Sequence, residues 1–222
     1  MSSRPDDYLL PPPSVVSLPV AGETARFPVR RIYCVGKNYA AHVREMGGDV
    51  RKSAPVFFTK SRETLVPDGG DIPYPPMTHN LHHEIELVVA MAGPREIFGY
   101  ATGLDMTRRD QQAEAKQSGG PWDMAKNFDQ AAPCTGLVRA DRFTLESARI
   151  SLSVNGNLRQ SACLEDMIWN VEDIIAHLNA TVSLAAGDLI FTGTPEGVGP
   201  VVTGDHLVGR ITGLPTLEVR YV

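Results

Sequence analysis

Long apolar segments and an excess of positive charge are both missing from this sequence of 222 residues. No run approaches the roughly 20 apolar residues that a membrane-spanning helix requires. The first twenty residues, MSSRPDDYLLPPPSVVSLPV, lack the basic start and apolar stretch of a secretory signal. The net charge of -5 argues against nucleic-acid binding, which usually requires a basic surface. We therefore expect a cytoplasmic protein that binds neither membranes nor nucleic acids.

Cysteine is also scarce. The three cysteines, Cys34, Cys134 and Cys163, form an odd set without close spacing, so we expect neither disulfides nor a thiolate zinc site. Cys34 lies in the apolar run RIYCVG, where a free cysteine behaves as a small hydrophobic residue. We predict that it is buried and has no chemical role.

The remaining composition is that of a folded protein, with 42% apolar and 21% charged residues. Prolines keep the first stretch extended, so we expect residues 1–29 to form an arm and residues 30–222 to form the main domain. Strand-like segments dominate and do not alternate regularly with helices. The sequence therefore predicts a mainly β fold of the α+β class.

Local signals place two helices. Asn38 is predicted to cap a short helix that Gly47 and Gly48 end, and this helix is too short to be stable alone. Thr107 and Asp110 stand in capping-box spacing and are predicted to begin a second helix.

The run HNLHHEIELVVAMAG, residues 79–93, places two glutamates in a segment with the composition of a buried strand. Alternate side chains of a strand share a face, so Glu84 and Glu86 point the same way. If that face is buried, both carboxylates need a cation or several hydrogen bonds, because an unpaired buried carboxylate would take up a proton. For the pair alone, a solvated face is the more frequent alternative.

A third carboxylate, Asp105, ends the strand-like run GYATGLD. Three carboxylates from two strands suit an oxygen-preferring ion such as Mg²⁺ or Mn²⁺, and they do not suit structural zinc. His82 and His83 directly precede Glu84, and we interpret them as packing or supporting residues because the three carboxylates are complete without them.

Two residue pairs with helical spacing are candidates for substrate chemistry. Arg109 and Gln112, three apart, share a helix face on which they could hold an anionic substrate, although Arg109 could equally form a surface ion pair. His42 and Glu45 are also three apart; a carboxylate beside an imidazole can activate water near neutral pH, although surface pairs of this kind are common. Arg44 could reach a distal substrate carboxylate from the same short helix, which has the character of a closing lid.

The glycine-rich segment TGTPEGVGPV, residues 192–201, lacks the Gly-Lys-Ser/Thr ending of a phosphate-binding loop. Its backbone N–H groups and the hydroxyls of Thr192 or Thr194 are better suited to a carboxylate.

Five motifs in this order, CVGKNYAAHVREMG, HHEIELVV, GLDMTRRDQQ, PWDMAKNFD and LIFTGTPEGVGPV, resemble the fumarylacetoacetate hydrolase family from about Arg30 to the C-terminus. The residues of these motifs are most similar to those of the family members that cleave fumarylpyruvate. The resemblance implies a rolled mixed β-sheet and a homodimer. The roles it implies are Mg²⁺ or Mn²⁺ ligation by Glu84, Glu86 and Asp105, a lid dyad of His42 and Glu45, substrate contacts by Arg109, Gln112 and Thr194, and charge stabilisation by Lys126.

The implied activity is metal-dependent hydrolysis of a carbon–carbon bond in a 2,4-dioxo acid, with fumarylpyruvate and water giving fumarate and pyruvate as part of aromatic-compound catabolism. Acylpyruvate hydrolysis and oxaloacetate decarboxylation are the alternatives within the family. A non-catalytic protein that binds a dicarboxylate is the alternative from another class.

Overall fold

The computed structural model describes residues 8–47 and 54–222. Within them the strands are β1 (Ser17–Leu18), β2 (Phe27–Pro28), β3 (Arg31–Gly36), β4 (Val56–Lys60), β5 (Leu65–Pro67), β6 (Gly70–Ile72), β7 (Leu81–His83), β8 (Ile85–Met91), β9 (Ile97–Leu104), β10 (Thr107–Arg108), β11 (Ala132–Cys134), β12 (Val138–Arg139), β13 (Arg149–Val154), β14 (Asn157–Cys163), β15 (Asp188–Phe191), β16 (Gly199–Val201), β17 (His206–Ile211) and β18 (Leu217–Tyr221). The α-helices are α1 (Ala40–Glu45), α2 (Arg109–Ser118), α3 (Asp123–Lys126) and α4 (Val171–Asn179). Short 3₁₀ helices span Arg62–Thr64, Ala140–Arg142 and Leu164–Asp166.

Two mixed sheets form the body of the protein. The larger has the order β4-β3-β15-β8-β9-β11-β5, with β12 also paired to β9. The second has the order β14-β13-β17-β18-β6, and a small sheet of β10, β7 and β16 adjoins them. Parallel pairs such as β15 with β3 occur beside antiparallel pairs such as β8 with β9. The predicted mainly β, mixed-sheet fold is confirmed.

Strand β8 lies between two hydrophobic clusters. Ile85, Leu87 and Val89 belong to a cluster that also contains residues of the second sheet. Val88 and Ala90 belong to a cluster on the other side of the larger sheet. Every residue of β8 is buried, so the alternation along the strand leaves no solvent-facing side. The face that carries the glutamates is therefore internal.

The predicted arm takes part in the second cluster. Leu18 and Phe27, from β1 and β2, are buried there with Cys34 and Phe191 of the larger sheet. Burial of these apolar side chains stabilises the fold in proportion to the area removed from water. Among the residues described, no helix is long and apolar enough to cross a membrane.

Both predicted helix caps are wrong. The N-cap of α1 is Tyr39; Asn38 is instead buried, where its Oδ1 accepts a hydrogen bond from the Trp169 N–H (2.7 Å) and its Nδ2 donates to the Thr192 carbonyl (2.7 Å). Long-range partners have thus replaced the local cap. Gly47, with φ of 72°, follows the end of α1, and Gly48 lies outside the described residues.

The N-cap of α2 is Arg108, without a side-chain cap. Thr107 lies in β10 with its hydroxyl donated to the Asp105 carbonyl. The Asp110 carboxylate accepts hydrogen bonds from the Thr78 hydroxyl and the His79 N–H, so it fixes the preceding loop and does not close a capping box.

Candidate active site

Three buried carboxylates meet where β7, β8 and β9 converge. Glu84 separates β7 from β8, Glu86 is the second residue of β8, and Asp105 follows the end of β9. One carboxylate oxygen from each lies within 4.8 Å of the other two. The alternative of a solvated face is excluded because all three side chains are buried.

Three cations surround this cluster. Lys126 Nζ donates to Glu84 Oε2 at 2.8 Å, to Asp105 Oδ2 at 2.6 Å and to Thr107 Oγ1 at 2.6 Å, which uses its three N–H groups. Arg109 forms an ion pair with Glu84 Oε1. Buried Lys60, at the end of β4, places its ammonium 2.8 Å from Asp105 Oδ1 without hydrogen-bond geometry to that oxygen.

The carboxylates differ in their affinity for a proton. Burial would raise the pKa of Glu84, but the charges of Lys126 and Arg109 outweigh it and hold that pKa below its usual range. Burial raises the pKa of Glu86 well above its ordinary value, and the charges of Asp105 and Glu84 raise it further. Burial would lower the pKa of Lys126, but Asp105 and Glu84 outweigh it and raise that pKa. Glu86 is therefore the carboxylate whose negative charge is least compensated by neighbouring cations.

The residues present fit a divalent metal ion. Glu86 accepts a hydrogen bond from the Gly193 N–H (2.8 Å), and no cation of the described residues lies within ion-pair distance of it. Asp105 Oδ1 has no hydrogen-bond partner in the described part of the chain. A buried donor set made only of carboxylate oxygens suits Mg²⁺ or Mn²⁺, and such an ion would supply the charge that Glu86 lacks.

The pair of His42 and Glu45 that the sequence predicts on the short helix is present in the structure. His42 Nδ1 lies 3.1 Å from Glu45 Oε2, and Glu45 Oε1 accepts a hydrogen bond from the Gly197 N–H at 3.0 Å. The carboxylate thus joins α1 to the glycine-rich loop. An ionised carboxylate can only accept, so Nδ1 of a neutral His42 carries the proton and Nε2 has the free lone pair.

Helix α2 presents one face to the cavity. Arg109 Nη1 donates to Gln112 Oε1 at 2.7 Å. Because a guanidinium cannot accept, this contact orients the Gln112 amide and leaves its N–H groups for other acceptors. Lys116, one turn further along, lines the same cavity with its Nζ 5.3 Å from the centroid of the Trp122 ring.

An open cavity connects these groups. Its lining includes Lys37 and nine of the residues already described or predicted: His42, Glu84, Glu86, Asp105, Arg109, Gln112, Lys116, Lys126 and Thr194. Apolar walls come from Val35, Met46, Phe58 and Trp122. Arg44 is exposed on α1 and is not part of this lining, so a substrate contact by Arg44 stays a prediction without support from its position.

Burial lowers the pKa of Lys116, and the positive charges of Arg109 and Lys37 lower it further. Lys37 and Lys116 are both exposed at the open side of the cavity, and no carboxylate of the described residues lies within ion-pair distance of either. This side of the cavity therefore carries positive potential that an anion would relieve.

The glycine-rich loop reaches the carboxylates through its backbone. Gly193 has φ of 97°, and a Cβ there would lie 2.6 Å from the Asn38 Cβ, so glycine is required for the loop to approach Glu86. Thr192 donates its hydroxyl to the Leu87 carbonyl (3.0 Å), whereas the Thr194 side chain lines the cavity. Of the two threonines left open by the sequence, Thr194 is the one beside the site.

The two histidines ahead of Glu84 are not in the carboxylate cluster. His83 is buried and its Nδ1 lies 2.9 Å from Gln160 Oε1; burial lowers its pKa. His82 bonds to Asn80 Oδ1 at 2.9 Å, and burial, followed by the charge of Arg109, lowers its pKa to about 4. Both positions agree with the supporting function proposed from the sequence.

A family model described as fumarylacetoacetate (FAA) hydrolase C-terminal matches residues 31–222. The chain belongs to the fumarylacetoacetate hydrolase family. Among the relatives, a fumarylpyruvate hydrolase of a Ralstonia species is 44% identical over 186 residues, which cover 78% of this chain and 97% of the relative. An oxaloacetate tautomerase of Escherichia coli (strain K12) is 38% identical over 204 residues, which cover 86% of this chain and 93% of the relative.

A solved fumarylpyruvate hydrolase has the same fold. The crystal structure of fumarylpyruvate hydrolase from Pseudomonas aeruginosa in complex with Mn²⁺ and pyruvate superimposes with a TM-score of 0.94 at 43% identity, covering 97% of this chain and 99% of that one. The resemblance drawn from the motifs, the fold and the expectation of a hydrolase enzyme with a divalent-metal cofactor are confirmed.

Proposed function

We propose that the protein hydrolyses the carbon–carbon bond of fumarylpyruvate, a 2,4-dioxo acid, to give fumarate and pyruvate. The observation that carries this proposal is that one cavity brings together a candidate metal site and a candidate acid/base pair. The metal site consists of the buried carboxylates Glu84, Glu86 and Asp105, and the pair is His42 with Glu45. Hydrolysis of such a bond requires both a stabilised enolate leaving group and an activated water. The fumarylpyruvate hydrolases among the relatives support this choice of substrate.

Glu84, Glu86 and Asp105 would hold Mg²⁺ or Mn²⁺, which supplies Lewis acidity that favours the enolate form of a 2-oxo acid. Arg109 and Lys60 hold the carboxylates of Glu84 and Asp105 in place through their ion pairs. Together with Lys126, these cations offset part of the cost of burying the carboxylates.

His42 is the base in this mechanism. With Nδ1–H donated to Glu45, Nε2 accepts a proton from the water that attacks the carbonyl of the fumaryl group. Glu45 stabilises the imidazolium that forms and is itself fixed by the Gly197 N–H. When the carbon–carbon bond breaks, its electron pair passes to the pyruvate enolate, and the proton held by His42 is available to the enolate carbon.

The Gln112 amide and Lys126 offer N–H groups to the oxyanion that forms when water attacks. Gln112 is free to do so because Arg109 occupies its oxygen. Lys126 would exchange one of its present acceptors for the oxyanion.

The positive side of the cavity explains a dicarboxylate substrate. Fumarylpyruvate carries a second carboxylate at its far end, and Lys116, supported by the charge of Lys37, is placed to receive it. The same position would be unused by acetylpyruvate, which ends in a methyl group.

We therefore expect Lys116→Met to raise KM for fumarylpyruvate about tenfold, since a hydrogen bond to a charged group contributes about 1.5–3 kcal/mol before solvent screening is considered. KM for acetylpyruvate should change less than threefold. Steady-state kinetics on both substrates measure the difference, and Lys116→Arg, which keeps the charge, should restore most of the preference. Equal losses on both substrates would contradict the assignment.

Fumarylpyruvate absorbance followed with Mg²⁺, with Mn²⁺ and with a chelator tests the proposed function directly. We expect metal-dependent loss of substrate with fumarate and pyruvate as products, and loss of activity with the chelator. Faster turnover of acetylpyruvate would indicate an acylpyruvase. No turnover of any 2,4-dioxo or 2-oxo acid by metal-loaded protein would favour the dicarboxylate-binding alternative.

The rival activity acts on oxaloacetate, as the name of the Escherichia coli relative indicates. Tautomerisation and decarboxylation of oxaloacetate use the same enolate stabilisation, but neither needs an attacking water. Turnover of oxaloacetate that exceeds turnover of fumarylpyruvate in the same assay would replace the hydrolase proposal.

We further propose that the enzyme acts in the cytoplasm, as a homodimer whose subunits each use residues 30–222 as the catalytic domain, in the catabolism of aromatic compounds. The described part of the arm exposes Leu9, Leu10 and Val15, an apolar surface that a second copy could cover. Sedimentation of the metal-loaded protein at micromolar concentration should give a dimer, and a monomer would refute this part of the proposal.

A further inference from the structure

Gln160, on β14, is a fully buried polar residue that the proposed mechanism does not use. Its Oε1 accepts a hydrogen bond from the Ile85 N–H at 3.1 Å and lies 2.9 Å from His83 Nδ1. Its Nε2 donates to Thr194 Oγ1 at 2.8 Å and to the Pro195 carbonyl at 2.9 Å. One side chain thus links Ile85, which lies between Glu84 and Glu86, to the glycine-rich loop.

The orientation of this amide is determined by two backbone groups. The Ile85 N–H can only donate, so the oxygen of Gln160 must face it. The Pro195 carbonyl can only accept, so the nitrogen of Gln160 must face the loop. Rotating the amide by 180° would place its NH₂ group against the Ile85 N–H and its oxygen against the Pro195 carbonyl oxygen, so both hydrogen bonds would be lost.

The orientation of the Gln160 amide determines which way the Thr194 hydroxyl bonds. Because Nε2 is a donor, the Thr194 oxygen is the acceptor in their hydrogen bond, and the hydroxyl proton is left over. No residue in the described ranges accepts a hydrogen bond from this hydroxyl, although Thr194 is only 3% exposed. A buried hydroxyl without an acceptor is unfavourable, and the cavity that Thr194 lines is where an acceptor can enter.

We propose that Gln160 is a positioning residue that orients the Thr194 hydroxyl as a donor to a carboxylate of the bound substrate. The inference rests on the proposed function in one respect, that the ligand is a 2-oxo carboxylate. Gln160 sets the direction of the Thr194 proton and, through Ile85, the spacing between that proton and the carboxylate cluster.

Gln160→Glu tests the proposal with little change in shape. The variant retains an oxygen for the Ile85 N–H but places an oxygen where Nε2 was. As a carboxylate, the new side chain can only accept at that position. Pro195 has no N–H to donate to it, whereas the Thr194 hydroxyl can rotate and donate. The hydroxyl proton is then turned away from the ligand. We expect KM for fumarylpyruvate to rise about tenfold, with kcat within about threefold of wild type.

A double-mutant cycle with Thr194→Val separates positioning from general damage. Thr194→Val should raise KM by a similar factor, and adding Gln160→Glu to it should change KM by less than twofold, because the hydroxyl through which Gln160 acts is already absent. Thr194→Ser, which keeps the hydroxyl, should resemble wild type. Independent, multiplicative effects of the two changes would overturn the proposal, as would an unchanged KM in Gln160→Glu.

Calorimetric titration of pyruvate into the Mn²⁺-loaded proteins gives a readout that does not depend on turnover. Weaker pyruvate binding in Gln160→Glu and Thr194→Val, without additivity, would support the inference even if fumarylpyruvate proved not to be a substrate. If Gln160→Glu does not fold, Gln160→Met is the second variant: it removes the donor to Thr194 Oγ1, so the hydroxyl is no longer oriented and pyruvate binding should again weaken. Unchanged pyruvate affinity in a folded variant would refute the inference.

Discussion

His42→Ala should reduce kcat for fumarylpyruvate by about 10²- to 10⁴-fold, the usual contribution of a positioned general base. The reason is geometric. Glu45 fixes the proton on Nδ1 and leaves Nε2 to activate water, and no other imidazole of the described residues lines this cavity. Affinity for Mn²⁺, measured by calorimetry, should stay at the wild-type value because His42 is outside the group of Glu84, Glu86 and Asp105.

His206→Ala is the matched control for this experiment. His206 also lies beside a glutamate, with its Nε2 3.2 Å from Glu218 Oε2, but this pair is on the surface of the second sheet. Its removal should leave kcat unchanged. Oxaloacetate turnover separates the functions further: a variant that loses hydrolysis but keeps oxaloacetate turnover assigns His42 to water activation. Full hydrolytic activity in His42→Ala would eliminate the proposed base.

The sequence alone predicts those parts of the site in which the periodicity of a strand or a helix determines which side chains share a face. Glu84 and Glu86 share a face because strands alternate, and Arg109 and Gln112 share one because they are three apart on α2. Lys116, four residues after Gln112, is the next residue on that helix face and could be predicted in the same way. Lys60 ends strand β4 just as Asp105 follows β9, so a charged residue at the end of a strand also indicates Lys60 in the sequence.

Gln160 could not have been found in this way. It lies on β14, 74 positions from Glu86 in the chain, and only the folded arrangement brings it to the start of β8 and to the glycine-rich loop. The helix caps failed for the same reason. Asn38 has the residue type of a cap, but buried carbonyl and N–H groups from distant loops compete for its amide and determine its position.

The largest effect is expected from Glu86→Gln, which should remove both metal binding and activity. Glu86 is the least compensated of the three carboxylates, and a neutral amide offers neither its charge nor its second oxygen to a divalent cation. Affinity for Mn²⁺ should fall at least 100-fold. Wild-type protein with Mn²⁺ at 100 times its Kd gains about 2.7 kcal/mol of stability, and the variant should lose that gain.

The metal-free proteins provide the control, and their pH dependence has a defined sign. The pKa of Glu86 in the folded protein is raised above its unfolded value, so the folded carboxyl holds its proton more strongly. Metal-free wild type therefore loses stability as pH rises from the unfolded pKa toward the raised one. The glutamine does not titrate and can still accept the Gly193 N–H through its oxygen. Without metal at pH 7, Glu86→Gln should thus unfold at a temperature equal to or above that of wild type, whereas with Mn²⁺ it should unfold below it. An active variant, or one with unchanged Mn²⁺ affinity, would refute the assignment of Glu86 as a metal ligand.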